Sequence, residues 1–225
     1  MFTQSGVQGI FYLTGVASAG DGPVSDRVQQ LCVAAAEQSV LALANIRLRE
    51  ELTHSSTRDP LTGLYNRRYA DEVLVRELAR ASRESAQVGI LILDLDHFKG
   101  INDQFGHEAG DAVLRTFGAV LADAIRSSDV ACRLGGEEFL LVLPGASIDA
   151  TQRKSQSIRK RLKEIELSHG GLRLPRVTFS AGVAVFPDNG TAVDILLRSA
   201  DAAMYEAKDA GRDRTVIASV LASAF

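Results

Sequence analysis

The 225 residues carry 25 Lys and Arg against 28 Asp and Glu, a formal net charge of −3, with 46% hydrophobic and 24% charged residues. This is ordinary soluble globular composition, which excludes disordered, collagen-like and fibrous chains. The near balance of charge argues against broad binding along a nucleic-acid backbone, which needs a strongly basic face, and leaves a nucleotide open as a small ligand.

Residues 2–20 are uncharged and Ala17-Ser18-Ala19 imitates a signal-peptidase site. No Lys or Arg precedes Arg27, however, and Gln4, Ser5, Gln8, Gly9, Thr14 and Gly15 break any apolar run. The chain is therefore expected to be cytoplasmic, without a signal peptide or membrane segment. Cys32 and Cys132 form neither a disulfide framework nor a CxxC metal pattern, and read as reduced thiols.

Residues 10–14 read as a short strand and 15–25 as a loop. Ser25 is placed to cap a long helix. Leu31, Ala34, Gln38, Leu41, Asn45, Leu48, Leu52 and Ser55 recur at spacings of three and four. This is a weak heptad seam, equally readable as an amphipathic helix packed on its own domain. Pro60 should stop the helix near Asp59.

A change of composition at 55–60 then opens one compact domain of about 160 residues. Its expected elements are a charged helix over 66–84, a buried strand over Val88–Leu95, a helix over 108–125, strands Val130–Leu134 and Phe139–Leu143 around Gly135-Gly136, a helix over 149–166, a strand over Val177–Phe186, and a last helix over 192–208 ended by Gly211. Strands alternating with helices around a central hairpin predict an α/β or α+β sandwich.

Asp94 and Asp96 close the apolar run Ile90–Leu93, and Glu137 and Glu138 follow the two glycines of the hairpin. A carboxylate at a buried strand end is costly unless a cation meets it. Residues two apart in a strand share a face, but if the strand ends between Asp94 and Asp96 only one of them need face the site. Carboxylates on adjacent strand ends are hard oxygen ligands suited to Mg²⁺, which completes its shell with water and substrate phosphates. Such a set supports phosphoryl or nucleotidyl transfer; solvated acids at strand ends are the plain alternative.

Arg133-Leu134-Gly135-Gly136-Glu137-Glu138-Phe139 resembles the signature of the GGDEF family, the diguanylate cyclases, in a Gly-Gly-Glu-Glu-Phe form. Three further motifs resemble that family in order and spacing. They are Asp59-Pro60-Leu61-Thr62-Gly63-Leu64-Tyr65-Asn66-Arg67-Arg68, then Asp94–Lys99 with Asn102-Asp103, Gly106-His107 and Gly110-Asp111, and finally Ala200-Asp201, Ala203-Met204-Tyr205, Ala207-Lys208 and Gly211-Arg212.

The resemblance implies a central sheet like the palm of nucleotidyl cyclases and polymerases. It implies condensation of two GTP into cyclic di-GMP with loss of two pyrophosphates, Mg²⁺ (or Mn²⁺) as cofactor, and a homodimer whose two GTP-loaded domains face each other. By the same resemblance Asp94, Glu137 and the Leu95 carbonyl hold metal. Glu137, or a water in its place, accepts the proton of the 3′-hydroxyl. Glu138 either joins the metal shell or only supports the turn. Lys99 stabilises the transferring phosphate, the amides around Phe98 and Lys99 cradle phosphates if they open a helix, and Lys208 and Arg212 converge on the triphosphate.

The resemblance also implies that Asn102 and Asp111 read guanine, turn-forming or capping residues being the plain alternative; a carboxylate accepts from guanine N1–H and the exocyclic amine but meets an acceptor at adenine N1, so Asp111 favours guanine. Arg126-Ser127-Ser128-Asp129 resembles the family's inhibitory RxxD site for cyclic di-GMP, with Arg153 and Arg159 as candidates for a further arginine. His97 and His107 are not spaced as metal ligands, His54 and His169 read as surface residues, and Tyr65 and Phe139 as packing.

Residues 1–52 loosely resemble the end of a GAF sensor domain, so the expected organisation is a GAF-like remnant over 1–24, a signalling helix over 25–58 and the cyclase domain over 59–225. The competing expectations are a non-catalytic nucleotide or cyclic di-GMP receptor, disfavoured because Gly135, Gly136, Glu137, Glu138 and Lys99 persist, and a cyclase of altered base choice, disfavoured by Asp111.

Overall fold

A computed structural model describes residues 2–3, 6–7, 26–55 and 57–219, with the two short initial segments and residues 29 and 44–55 given by backbone alone. The described chain divides into two compact units at Ser56/Thr57. In the first, β1 (Phe2–Thr3) pairs antiparallel with β2 (Gly6–Val7), and α1 runs Asp26–Ser55. The expected strand at 10–14, the loop at 15–25, the Ser25 cap and the side chains of Asn45, Leu48, Leu52, His54 and Ser55 lie outside the described residues. Along α1, Leu31, Val33, Leu41 and Leu43 are exposed.

The second unit contains β3 (Tyr65–Asn66), α2 (Arg67–Glu84), β4 (Val88–Leu95), α3 (Phe98–Phe105), α4 (His107–Ala124), β5 (Val130–Gly135), β6 (Glu138–Pro144), α5 (Ile148–Lys163), β7 (Ser168–His169), β8 (Leu172–Arg173), β9 (Phe179–Phe186), α6 (Val193–Asp209) and β10 (Thr215–Ile217). Six strands form one sheet in the order β10-β9-β4-β6-β5-β3. β4 runs antiparallel to β6 and β9, while the two edge strands pair parallel with their neighbours. The hairpin β5–β6 forms around Gly135-Gly136 with a register shift between Arg133 and Gly135.

All eight residues of β4 are buried, because both faces of the sheet are covered. Alternation divides them. Leu91, Leu93 and Leu95 pack with α4 and α5 residues such as Val113, Phe117 and Ile158. Ile90 and Ile92 pack with Leu74 of α2 and Leu196 and Met204 of α6. Phe117 meets Phe139 edge-on at 4.9 Å between ring centroids, a favoured aromatic geometry. Cys132 is fully buried, and burial pushes its thiol up to about 12, so it stays protonated and unreactive.

The capping chemistry is local. Asn66 accepts from the Tyr69 amide at the start of α2, and Ser147 accepts from the Ala150 amide at the start of α5, each occupying a donor that the helix leaves without a partner. α6 lies close on β9. A Cβ at Gly182 would run into the Ala200 carbonyl and the Met204 amide. Because that obstruction is backbone, Gly182→Ala should cost about 2 kcal/mol by overpacking and lower the thermal midpoint by several degrees. An unchanged midpoint would mean that α6 shifts freely on the sheet.

Candidate active site

The carboxylates at the rim of β4 have different surroundings. Asp94 is the last residue of β4 paired with β6, opposite Glu138, and stands opposite Ser180 of β9, where pairing continues to Leu95. Its side chain is 7% exposed, and its Oδ2 lies 2.8 Å from Lys208 Nζ. Burial pushes the Asp94 carboxyl up; Lys208 opposes this, Asp96 adds to it, and the charge of Arg212 also pulls it down. Glu137 sits at the hairpin tip, its carbonyl accepting from the Leu95 amide at 3.3 Å. Burial raises the Glu137 carboxyl, and repulsion from Asp94 adds to the rise. The structure thus brings Asp94, Glu137 and Lys208 together, with Arg212 within electrostatic reach.

Asp96 has another role. It lies just past β4, is buried, and accepts hydrogen bonds from Thr178 Oγ1 and Ser180 Oγ at 2.7 Å and from the Asp213 amide at 3.0 Å. These bonds satisfy it without a metal. Of the two aspartates, only Asp94 is left facing Lys208.

His97 takes a left-handed φ of 58° and Phe98 starts α3, an element the periodicity did not reveal. Lys99 is exposed in its first turn and Phe98 is buried. α3 packs closely on α4. A Cβ at Gly110 would collide with Asn102 Oδ1, so the missing side chain at 110 makes room for Asn102 beside Asp111. Asp111 is half exposed and lies 3.5 Å from Arg115 one turn on.

The hairpin tip is tied to the start of the domain. Arg133 donates through Nε and Nη2 to the Gly136 carbonyl at 3.0 and 2.7 Å, and through Nη1 to both Asp59 oxygens at 3.3 Å. Asp59 also accepts from the Thr62 amide and hydroxyl. Both residues lie inside sequence motifs, but their pairing across 74 residues leaves no local signal in the sequence.

At the turn between α4 and β5, Arg126 is exposed. The Asp129 carboxylate accepts from the Arg126 amide at 3.0 Å and lies 4.0 Å from Lys154 Nζ. Arg159, considered as a further arginine for this turn, is committed elsewhere: it bonds Asp213 at 2.6 Å and the Phe179 carbonyl at 2.7 Å. His169 is partly exposed, with Nε2 3.6 Å from Glu108.

Among the described residues no group of three or more His, Cys, Asp or Glu side chains gathers as a metal cluster. Asp94 and Glu137 nonetheless form a donor set that fits Mg²⁺, which commonly takes one or two protein carboxylates and fills the remainder with water and phosphate oxygens. The ammonium against Asp94 shows that this rim favours positive charge. No described helix is long and apolar enough to cross a membrane.

A mixed sheet with helices on both faces and carboxylates at one rim defines a palm-like α/β domain. The family model "Diguanylate cyclase, GGDEF domain" matches residues 56–214. The chain belongs to the GGDEF family. It is 40% identical over 169 residues to diguanylate cyclase DgcP of Pseudomonas aeruginosa, spanning 75% of this chain and 25% of that protein. It is 40% identical over 174 residues to the response regulator PleD of Caulobacter vibrioides, spanning 75% of this chain and 38% of that one. The chain therefore spans well under half the length of these relatives. The GGDEF domain of DgcB from Caulobacter crescentus, solved in complex with c-di-GMP, superposes with a TM-score of 0.69 at 32% identity, covering 72% of this chain and 96% of that one.

Asp59 provides a pH test of the hairpin tie. Its burial raises the carboxyl, but hydrogen bonds from Thr62 and the charge and hydrogen bond of Arg133 outweigh this and hold it below 3.8. A folded-state value below the unfolded one contributes stability that is full above 3.8 and is lost as pH falls through the depressed value. Asp59→Asn should cost about 1–2 kcal/mol at neutral pH, and its deficit in denaturant unfolding should narrow below pH 4. A deficit independent of pH would exclude the ion pair as its cause.

Proposed function

We propose that this chain is a diguanylate cyclase that condenses two GTP into cyclic di-GMP and releases two pyrophosphates. The observation that carries the reading is the meeting of Asp94 and Glu137 on neighbouring strand ends with the Lys208 ammonium beside them. Membership of the GGDEF family and 40% identity to DgcP support it.

In this reading Asp94, Glu137 and the Leu95 carbonyl hold Mg²⁺. The bound ion would supply charge neutralisation at the phosphates and polarisation of the α-phosphorus. The 3′-hydroxyl of each GTP attacks the α-phosphorus of the other, so that at each of the two centres the following exchange occurs. An O–P bond forms, the bond to the β-phosphate bridging oxygen breaks, and pyrophosphate leaves. The hydroxyl proton goes to Glu137 or to a water beside it. Lys99 and the amides at the start of α3 offset charge on the transferring phosphate. Lys208 and Arg212 hold the triphosphate. Asn102 and Asp111 select guanine, whose donor edge a carboxylate can satisfy.

The product needs two bound nucleotides in opposed orientation, so the active species is a homodimer. The exposed Leu31 and Leu41 on the heptad spacing of α1 support its association as a stalk. Residues 1–52 are read as resembling the end of a GAF domain.

Incubation with GTP and MgCl₂ over a range of protein concentrations, followed by chromatography, should yield cyclic di-GMP with a specific activity that rises with concentration. Glu137→Gln and Asp94→Asn should each abolish product while the folded circular dichroism persists. GTP binding without product would favour a receptor, and an adenine-containing product would overturn the guanine assignment.

The Arg126–Asp129 turn is read as a product-inhibition site, because its carboxylate is occupied by the backbone while the guanidinium faces solvent. Arg126→Ala should raise the cyclic di-GMP concentration needed for half-inhibition at least about tenfold, leaving initial rates unchanged. Equal inhibition in both proteins would remove this site.

A further inference from the structure

The short turn after α6 carries Arg212, whose charge reaches Asp94. Arg212 and Asp213 both occupy the left-handed region, with φ of 58° and 44°. Two adjacent non-glycine residues remain in this conformation only where their surroundings over-determine it. Three anchors supply that constraint. The Asp213 amide donates to buried Asp96, which is itself fixed by Thr178 and Ser180. The Asp213 carboxylate binds Arg159 Nη1 at 2.6 Å and Lys163 Nζ at 2.8 Å, both on α5. Arg159 is in turn held by the Phe179 carbonyl and by Thr215 Oγ1 at 2.9 Å, with its guanidinium 4.3 Å above the Phe179 ring. The Arg214 carbonyl accepts from the Ala181 amide of β9.

The turn is thus fastened on one side to the strand end that bears Asp94 and on the other to α5. Neither the Asp213 carboxylate nor the Arg159 guanidinium takes part in the transfer itself. We propose that Asp96, Asp213 and Arg159 form a clamp that fixes the Arg212 turn for nucleotide capture, which makes Asp213 and Arg159 positioning residues for GTP binding. The proposal rests on the reading of Arg212 as a triphosphate contact. A clamp that acts through Arg212 must lose its effect once Arg212 is gone, whereas a purely structural ion pair keeps it.

The test measures binding of a GTP analogue with a methylene bridge between its α and β phosphorus atoms. The analogue cannot undergo transfer, so affinity is read separately from turnover, and failure of the cyclase reading is distinguishable from failure of the clamp. Calorimetric titration in Mg²⁺ would use the full 225-residue chain. Arg159→Met removes one anchor. Asp213→Asn is the milder variant, since asparagine tolerates the left-handed backbone but loses the charge that Arg159 and Lys163 hold. Each should weaken binding about tenfold, the scale of one charge-assisted contact, with Arg212→Ala at least as severe. In the Arg212→Ala background, either substitution should change affinity less than twofold, the mark of residues acting as one unit. An effect that persists in full without Arg212 would overturn the proposal, as would unchanged affinity in both single variants. Unchanged affinity in Arg212→Ala would overturn the triphosphate assignment and the clamp with it.

Discussion

A negative charge at the end of a strand buried on both faces is the constraint on which the site depends. β4 is apolar and enclosed from Val88 to Leu93, and Asp94 is the first carboxylate it reaches. Removing that carboxylate from water is costly unless a cation comes to it. The chain brings one on α6, the helix whose opposite end packs into the core beneath β9. Core packing and charge compensation therefore come from the same element. The face of α6 that buries Leu196, Ala200 and Met204 also sets where the Lys208 ammonium can stand.

Close backbone approach makes this arrangement possible. Without a Cβ at Gly182, α6 settles against the sheet, bringing its last turn to the strand ends. At the other end of the site, the bare position at Gly110 leaves space for the side chains of Asn102 and Phe98. The Arg133–Asp59 pair joins the hairpin tip to the segment that enters the domain. The polar side chains at the rim thus inherit their placement from the packing and ties around them.

The sequence made the long elements legible and left the short or distant features obscure. The apolar run from Val88 to Leu95 and the Gly135-Gly136 turn carry distinct local signals, and the helices of 16 to 18 residues carry helical periodicity. α3, with eight residues and Gly100 inside it, is too short for that signal. β9 starts at Phe179, not Val177, although the Thr178 carbonyl still accepts from the Asp96 amide across the sheet. α5 ends at Lys163, short of the expected 166, where the chain tightens through Glu164. Asp94 and Glu137 were readable as candidates since each follows a distinct local pattern. The different fate of Asp96 and the attachment of Arg159 to Asp213 depend on contacts between residues 54 to 117 positions apart, which no window along the chain contains.

The sheet's two margins are brief: β3 has two residues and β10 three. A long bare margin offers unpaired amides and carbonyls that another chain can copy. Here β4 is paired on both sides, and β10 covers the middle of the outer side of β9 at Ala181–Val183. A second copy meeting either margin therefore finds only a short stretch of ladder to extend.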